Sequence, residues 1–173
     1  PDEAVDLFRR ALASAPGFVE ARHNLGEALA ALGRTEEAVA TLREALAAQP
    51  RFAEAWNTLG NALRQRGDDA AGEEAYREAL RAQPDHPGAL NNLGLLQWHH
   101  GEVAAAIGSF REALRAQPDF ARAHSNLLFA LHGDPAATPA LLLSESRRFD
   151  QRHGPAAAAL VRPHAPDRAP GRR

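Results

Sequence analysis

The residues best suited to chemistry in this chain are carboxamides. Asn24, Asn92 and Asn126 share one column of a 34-residue spacing, and Thr58 takes the remaining slot. An Asn side chain carries both donor and acceptor, so it can pair with a peptide group whatever side chain that group bears. Repetition at a fixed interval would set such pairs along a groove. Thr58 interrupts the row, because a hydroxyl cannot form the same two-point pair. The amides have a second use, since half-buried amides commonly bond a neighbouring helix. The column just before holds His23, Asn57, Asn91 and Ser125. It has no basic residue, which argues against a grip on an acidic C-terminal peptide. Asn57, Asn91, Asn61 and Trp98 complete the candidate peptide contacts. Trp98 is either an aromatic anchor for a ligand side chain or packing against the next unit, as most Trp is well buried.

Other chemistry has little to build on. The chain has no Cys, so disulfides, thiolate metal sites and a Cys nucleophile are excluded. Of its eight His, two are adjacent, His99 and His100, and adjacent helical residues point in different directions. With no paired-His helical spacing, no nucleophile–base set and no phosphate loop, the expectation is no catalytic residue, no metal and no cofactor. Net charge is −2, and all 20 basic residues are Arg, which gives no prior for nucleic-acid or membrane partners. No apolar run approaches the roughly 20 residues of a membrane span, and no signal peptide is visible, so the expected compartment is the cytoplasm. The Ala/Arg/Gly/Pro bias points to a GC-rich bacterial genome. A start on Pro1 with no Met anywhere reads as a piece of a longer polypeptide.

The elements that position these residues follow from the period. Pro16, Pro50, Pro84 and Pro118 are 34 residues apart, the mark of a repeat architecture. Leu25, Leu59, Leu93 and Leu127 form one column; Gly26, Gly60 and Gly94 form the next. Phe8, Leu42, Tyr76 and Phe110 form a large apolar column, and Ala45, Ala79 and Ala113 a small one. The apolar spacing predicts a first helix in each unit over about 19–32, 53–66, 87–100 and 121–132. Gly33, Gly67 and Gly101 end the first three, since Gly tolerates the left-handed cap conformation. A second helix follows over about 36–48, 69–82 and 102–116, with Thr35 and Asp68 as candidate N-caps. Proline closes it, because it cannot continue the helical ladder. Gly26, Gly60 and Gly94 are expected to face Ala38, Gly72 and Ala106 where the two helices cross. Trp56 stands in the unit's own core column.

These columns match the pattern W-x2-L-G-x2-Y…A-x3-F…P, so the chain resembles the tetratricopeptide-repeat family. The best match is Trp56, Leu59, Gly60, Leu63, Gly72, Tyr76, Ala79 and Pro84. The resemblance implies an all-α, right-handed superhelical solenoid of antiparallel helix pairs, with a concave groove lined by the first helices. The expected organisation is the second helix of a truncated repeat over 1–18, then repeats over 19–52, 53–86 and 87–120. A lone first helix over 121–133 follows, then a capping helix over 134–155 and a Pro/Arg-rich linker over 156–173. Thr138 and Pro139 open the capping helix, Gly154 is expected to stop it, and Leu141, Leu142, Leu143 and Phe149 are expected to cover the open end of the stack.

The segment His124-Ser125-Asn126-Leu127-Leu128-Phe129-Ala130-Leu131, followed by Asp134-Pro135, is similar to the last repeat of bacterial O-linked N-acetylglucosamine transferase (SPINDLY-like) proteins. Arg162-Pro163-His164, Asp167-Arg168 and Arg172-Arg173 resemble the linker that leads into that family's glycosyltransferase domain. The resemblance implies that the family's catalytic residues lie beyond Arg173, in a downstream glycosyltransferase domain. It also implies an asparagine ladder inside the superhelix that holds the backbone of extended substrate peptides. The matching positions are Asn24, Thr58, Asn92 and Asn126. The implied function is a peptide-binding substrate arm; the alternative is a stand-alone scaffold for multiprotein assembly. Asn92→Ala with Asn126→Ala is then expected to weaken peptide binding with little loss of thermal stability.

Overall fold

The computed structural model describes residues 2–160, with side chains described through residue 154. Among the described residues there are nine helices and no strand. They are α1 Asp2–Ser14, α2 Val19–Ala31, α3 Thr35–Ala48, α4 Ala53–Gln65, α5 Asp69–Ala82, α6 Pro87–His99, α7 Val103–Ala116, α8 Ala121–His132 and α9 Pro139–Leu160. The chain favours helix throughout, because Ala, Leu, Glu and Arg dominate between the punctuating Gly and Pro residues. The closest pairings are α2 with α3, α4 with α5 and α6 with α7, and each pair stacks on the next. Successive first helices also touch, α2 on α4, α4 on α6 and α6 on α8.

Each turn inside a pair is made by a glycine in the left-handed region: Gly33 at φ 73°, Gly67 at 88° and Gly101 at 80°. No non-Gly residue among those described has positive φ. Asp68 caps α5 by accepting from the Ala71 amide at 3.2 Å. Thr35 does not cap α3. It is the first helical residue, and its hydroxyl donates to the Gly33 carbonyl instead.

The core runs along the axis of the stack. Leu42, Tyr76 and Phe110 are each within 1% of complete burial. They occupy the space that the glycine column leaves open. A Cβ on Gly26, Gly60 or Gly94 would come within 2.5–2.7 Å of Leu42, Tyr76 or Phe110 respectively. The chief reason for glycine here is therefore the large side chain of the second helix. Gly60 and Gly72 also meet at the expected small-residue crossing, where a Cβ on either would lie 3.1 or 3.2 Å from the other's carbonyl oxygen.

The far end departs from the expectation. Gly154 does not stop α9, which continues to Leu160. The helix passes through Pro155 as well, and the alanines at 156–159, which have the highest helix propensity, lie within it. Residues 156–160 are thus helix rather than linker, and the remaining 161–173 lie outside the described residues. Leu141 and Leu142 do pack on the last core cluster, with Ile107, Phe110, Leu127 and Leu131, but Leu143 is 54% exposed. The contact is completed by a buried polar group that the apolar pattern conceals, Glu145.

Candidate functional site

The first helices bring the amide columns together, but as a bonded chain. His23 Nε2 and Thr58 Oγ1 share a hydrogen bond at 3.1 Å. Asn92 Nδ2 donates to Asn57 Oδ1 at 3.0 Å, and Asn126 Nδ2 donates to Asn91 Oδ1 at 2.9 Å. The rule is the same each time: a residue of the earlier column bonds the later column of the next unit. Stacking by one period sets the two side by side on neighbouring first helices. Thr58 thus occupies its rung through a hydroxyl, where the amide would have stood.

Cross-links tie the rungs together. Asn92 Nδ2 also donates to Asn61 Oδ1 at 2.9 Å, and Asn61 Oδ1 accepts from the Tyr76 hydroxyl at 2.8 Å. Asn91 Nδ2 donates to Asn92 Oδ1 at 3.3 Å. Asn57, Thr58 and Asn91 are buried, Asn92 and Asn126 are half-buried, and Asn24 and Asn61 are exposed. Among the described residues Asn24 has no hydrogen-bond partner, and neither the Asn61 Nδ2 nor the Asn126 Oδ1 is engaged. The row therefore has an inner edge that joins repeats and an outer edge that offers amides to solvent.

Trp98 is half-buried in the cluster with Leu95, Leu127 and Leu131. Its ring meets Phe129 edge-on, with centroids 5.1 Å apart, and lies against Gly133, where a Cβ would clash. It packs on the following helix, as one of its two readings has it. Phe129 is 65% exposed beside it. His99 and His100 are exposed. No group of three or more His or acidic residues that could hold a metal occurs among the described residues. No described helix is long and apolar enough to cross a membrane.

Two further polar pairs join helices outside the amide columns. His86 Nε2 meets Glu54 at 2.6 Å, while its Nδ1 accepts from the Ala89 amide as the cap of α6. The bond to His86 holds the Glu54 carboxyl below the usual carboxylate range. The signal was available: His86 stands in the column of Phe18, Phe52 and Phe120, where only it can cap. At the other end, His124 is 3% exposed and bonds Glu145 Oε1 through Nε2 at 3.0 Å. Its Nδ1 lies 3.2 Å from His153 Nε2. Burial pushes the His124 imidazole below its ordinary value, against the opposing pull of Glu145.

Two models described as Tetratricopeptide repeat match this chain, one over residues 1–63 and one over 57–121. The chain is built of tetratricopeptide repeats. No curated protein matches its sequence. Among solved structures, MamA is 22% identical, with a TM-score of 0.76 and 91% of each chain covered. An O-GlcNAc transferase mutant of Thermobaculum terrenum is 24% identical, with a TM-score of 0.70, over 78% of this chain and 26% of that one. YrrB, described as a tetratricopeptide-repeat protein with an unusual peptide-binding site, is 18% identical, with a TM-score of 0.70, over 88% of this chain and 77% of that one. At these identities the likeness establishes the tetratricopeptide fold. Within it, the amide row belongs to the first helices of successive repeats.

Proposed function

We propose that this tetratricopeptide array binds an extended peptide or protein segment along its first helices, and performs no catalysis itself. The observation that carries the reading is the outer edge of the amide row. Asn24, Asn61 and Asn126 present unengaged donors or acceptors along the line of the stack, backed by rungs that hold them in register. Such groups suit a peptide backbone, whose own groups repeat along its length and lose hydration on binding unless paired. Asn57, Asn91, Thr58 and Asn92 fix the spacing, and Trp98 with Phe129 forms an apolar end for a side chain.

The parent context we favour is the substrate-recognition arm of an O-GlcNAc-transferase-like protein glycosyltransferase. The resemblance of residues 124–135 to that family supports it, together with the fold shared with the Thermobaculum terrenum enzyme. A stand-alone assembly scaffold is the second reading. The parent reading frame beyond Arg173 separates them: a Val/Ile-rich strand opening a glycosyltransferase domain supports the first, and a stop codon or an unrelated domain refutes it.

Peptide binding is tested by selecting ligands from a random-peptide library and measuring their affinity for the wild type and for Asn24→Ala with Asn61→Ala. The expected result is a Kd raised about tenfold, equivalent to about 1.4 kcal/mol. Binding unchanged in that variant, or mapped by hydrogen exchange to the second helices alone, would sink the proposal.

A further inference from the structure

On the side away from the amide row, successive second helices leave clefts between them, floored by the intervening first helix. Two of these are open cavities. One, of about 560 Å³, lies between α3 and α5 and is lined by Arg43, Leu46, Leu59, Glu74 and Glu78. The other, of about 600 Å³, lies between α7 and α9 and is lined by Arg111, Arg115, Arg148 and Arg152 over His124 and Leu127. They are the same place in the solenoid two repeats apart, since Arg43, Leu46 and Leu59 recur as Arg111, Leu114 and Leu127.

Their charge is not the same. In the first half of the stack, Arg residues of one second helix face acids of the next, while Arg77 of α5 pairs with Glu73 of its own helix. Arg9 of α1 pairs with Glu37 of α3 at 3.2 Å, and Arg43 shares its cleft with Glu74 and Glu78 of α5. Helix α9 breaks the pattern by presenting Arg148 and Arg152 to Arg111 and Arg115. Glu145 is the only acid lining this cleft among the described residues, and it is buried and bound to His124. Arg148 reaches it at 3.4 Å, and Arg115 pairs with Glu112 of its own helix. Arg111 and Arg152 meet no carboxylate among the described residues. Arg152 is held at the rim by donating to the Pro118 carbonyl at 2.8 Å, which leaves its charge uncancelled.

Guanidinium groups gathered this way repel one another, and an oxyanion between them reverses the sign of the interaction. The volume is that of a small-molecule site. A guanidinium fork matches phosphate in geometry as well as charge. An acidic peptide would have to run on over second helices edged with Glu74, Glu78 and Glu112, which oppose it. We propose that the α7–α9 cleft binds a small phosphate-bearing molecule with at least two negative charges, at a site separate from the peptide groove.

The probe is inorganic pyrophosphate, titrated calorimetrically into the full chain at constant ionic strength, with a hexaglutamate peptide in a parallel arm. Expected are saturable one-to-one binding, about tenfold weaker affinity in Arg111→Gln with Arg148→Gln, and an unchanged affinity in Arg43→Gln at the equivalent cleft. Without ligand, Arg111→Gln should melt no lower than the wild type, because it removes repulsion; this single variant also serves as the binding test should the double one unfold. The proposal is overturned if pyrophosphate gives no saturable heat, if the Arg111 variants bind it as tightly as the wild type while keeping wild-type helicity, or if hexaglutamate binds more tightly than pyrophosphate.

Discussion

Asn91→Ala tests whether the amide row joins repeats. Asn91 is 1% exposed, accepts from Asn126 at 2.9 Å and donates to Asn92 at 3.3 Å. Truncation removes both bonds, each worth about 0.5–1.5 kcal/mol net. The orphaned groups on Asn92 and Asn126 are half-buried and regain some water, so the full desolvation cost does not apply. The expected loss is about 2 kcal/mol, or about 4–8 °C in Tm for a chain of this size. Asn24→Ala, at an exposed position without a partner, should stay within about 0.5 kcal/mol of the wild type. Urea unfolding followed by helical circular dichroism measures both. A double-mutant cycle of Asn91→Ala with Asn126→Ala should show a coupling of about 1 kcal/mol, since the two share one bond across repeats. Additivity within about 0.3 kcal/mol would refute the inter-repeat rung. Asn92→Ala with Asn126→Ala should lower stability along with any effect on binding, because both amides bond across repeats.

Gly94→Ala places a Cβ 2.7 Å from the Phe110 ring and should cost about 1–3 kcal/mol; combined with Phe110→Leu it should cost less than the sum of the two, and strict additivity in thermal melts would contradict the close approach. Because burial lowers the folded pKa of His124, the native state binds fewer protons than the unfolded chain as pH falls below about 6.5. Its contribution is therefore complete above that value and is lost as pH drops towards the folded pKa, so the urea midpoint should fall more steeply below about pH 6.5 in the wild type than in His124→Gln, and equal slopes would exclude the effect.

Much of the scaffold could be read directly. The glycine turns, the large apolar column and the Asp68 cap all follow from preferences acting within one unit, over a handful of residues. Thr35 failed as a cap because Gly33 and Arg34 complete the turn first, leaving Thr35 inside the helix. Gly154 did not stop α9, and neither did Pro155 after it, since the helix runs on through the alanines at 156–159 to Leu160. Glu145 was hidden for a different reason: on a helix with an apolar face, nothing local distinguishes a buried acid from a solvated one. Its burial depends on His124, which belongs to another helix.

The amide row shows where the boundary falls. Its columns, their period and their place on the first helix of each repeat were determined by the sequence alone, because a repeating pattern of helix-compatible residues can only stack in register. The partners of those amides were decided by the tertiary structure. Asn57 to Asn92 and Asn91 to Asn126 join residues of different repeats, and which column meets which depends on how far one helix pair shifts against the next. The meeting of Arg111 and Arg115 with Arg148 and Arg152 was decided in the same way, since α9 stands outside the period and only packing sets its charged edge against α7.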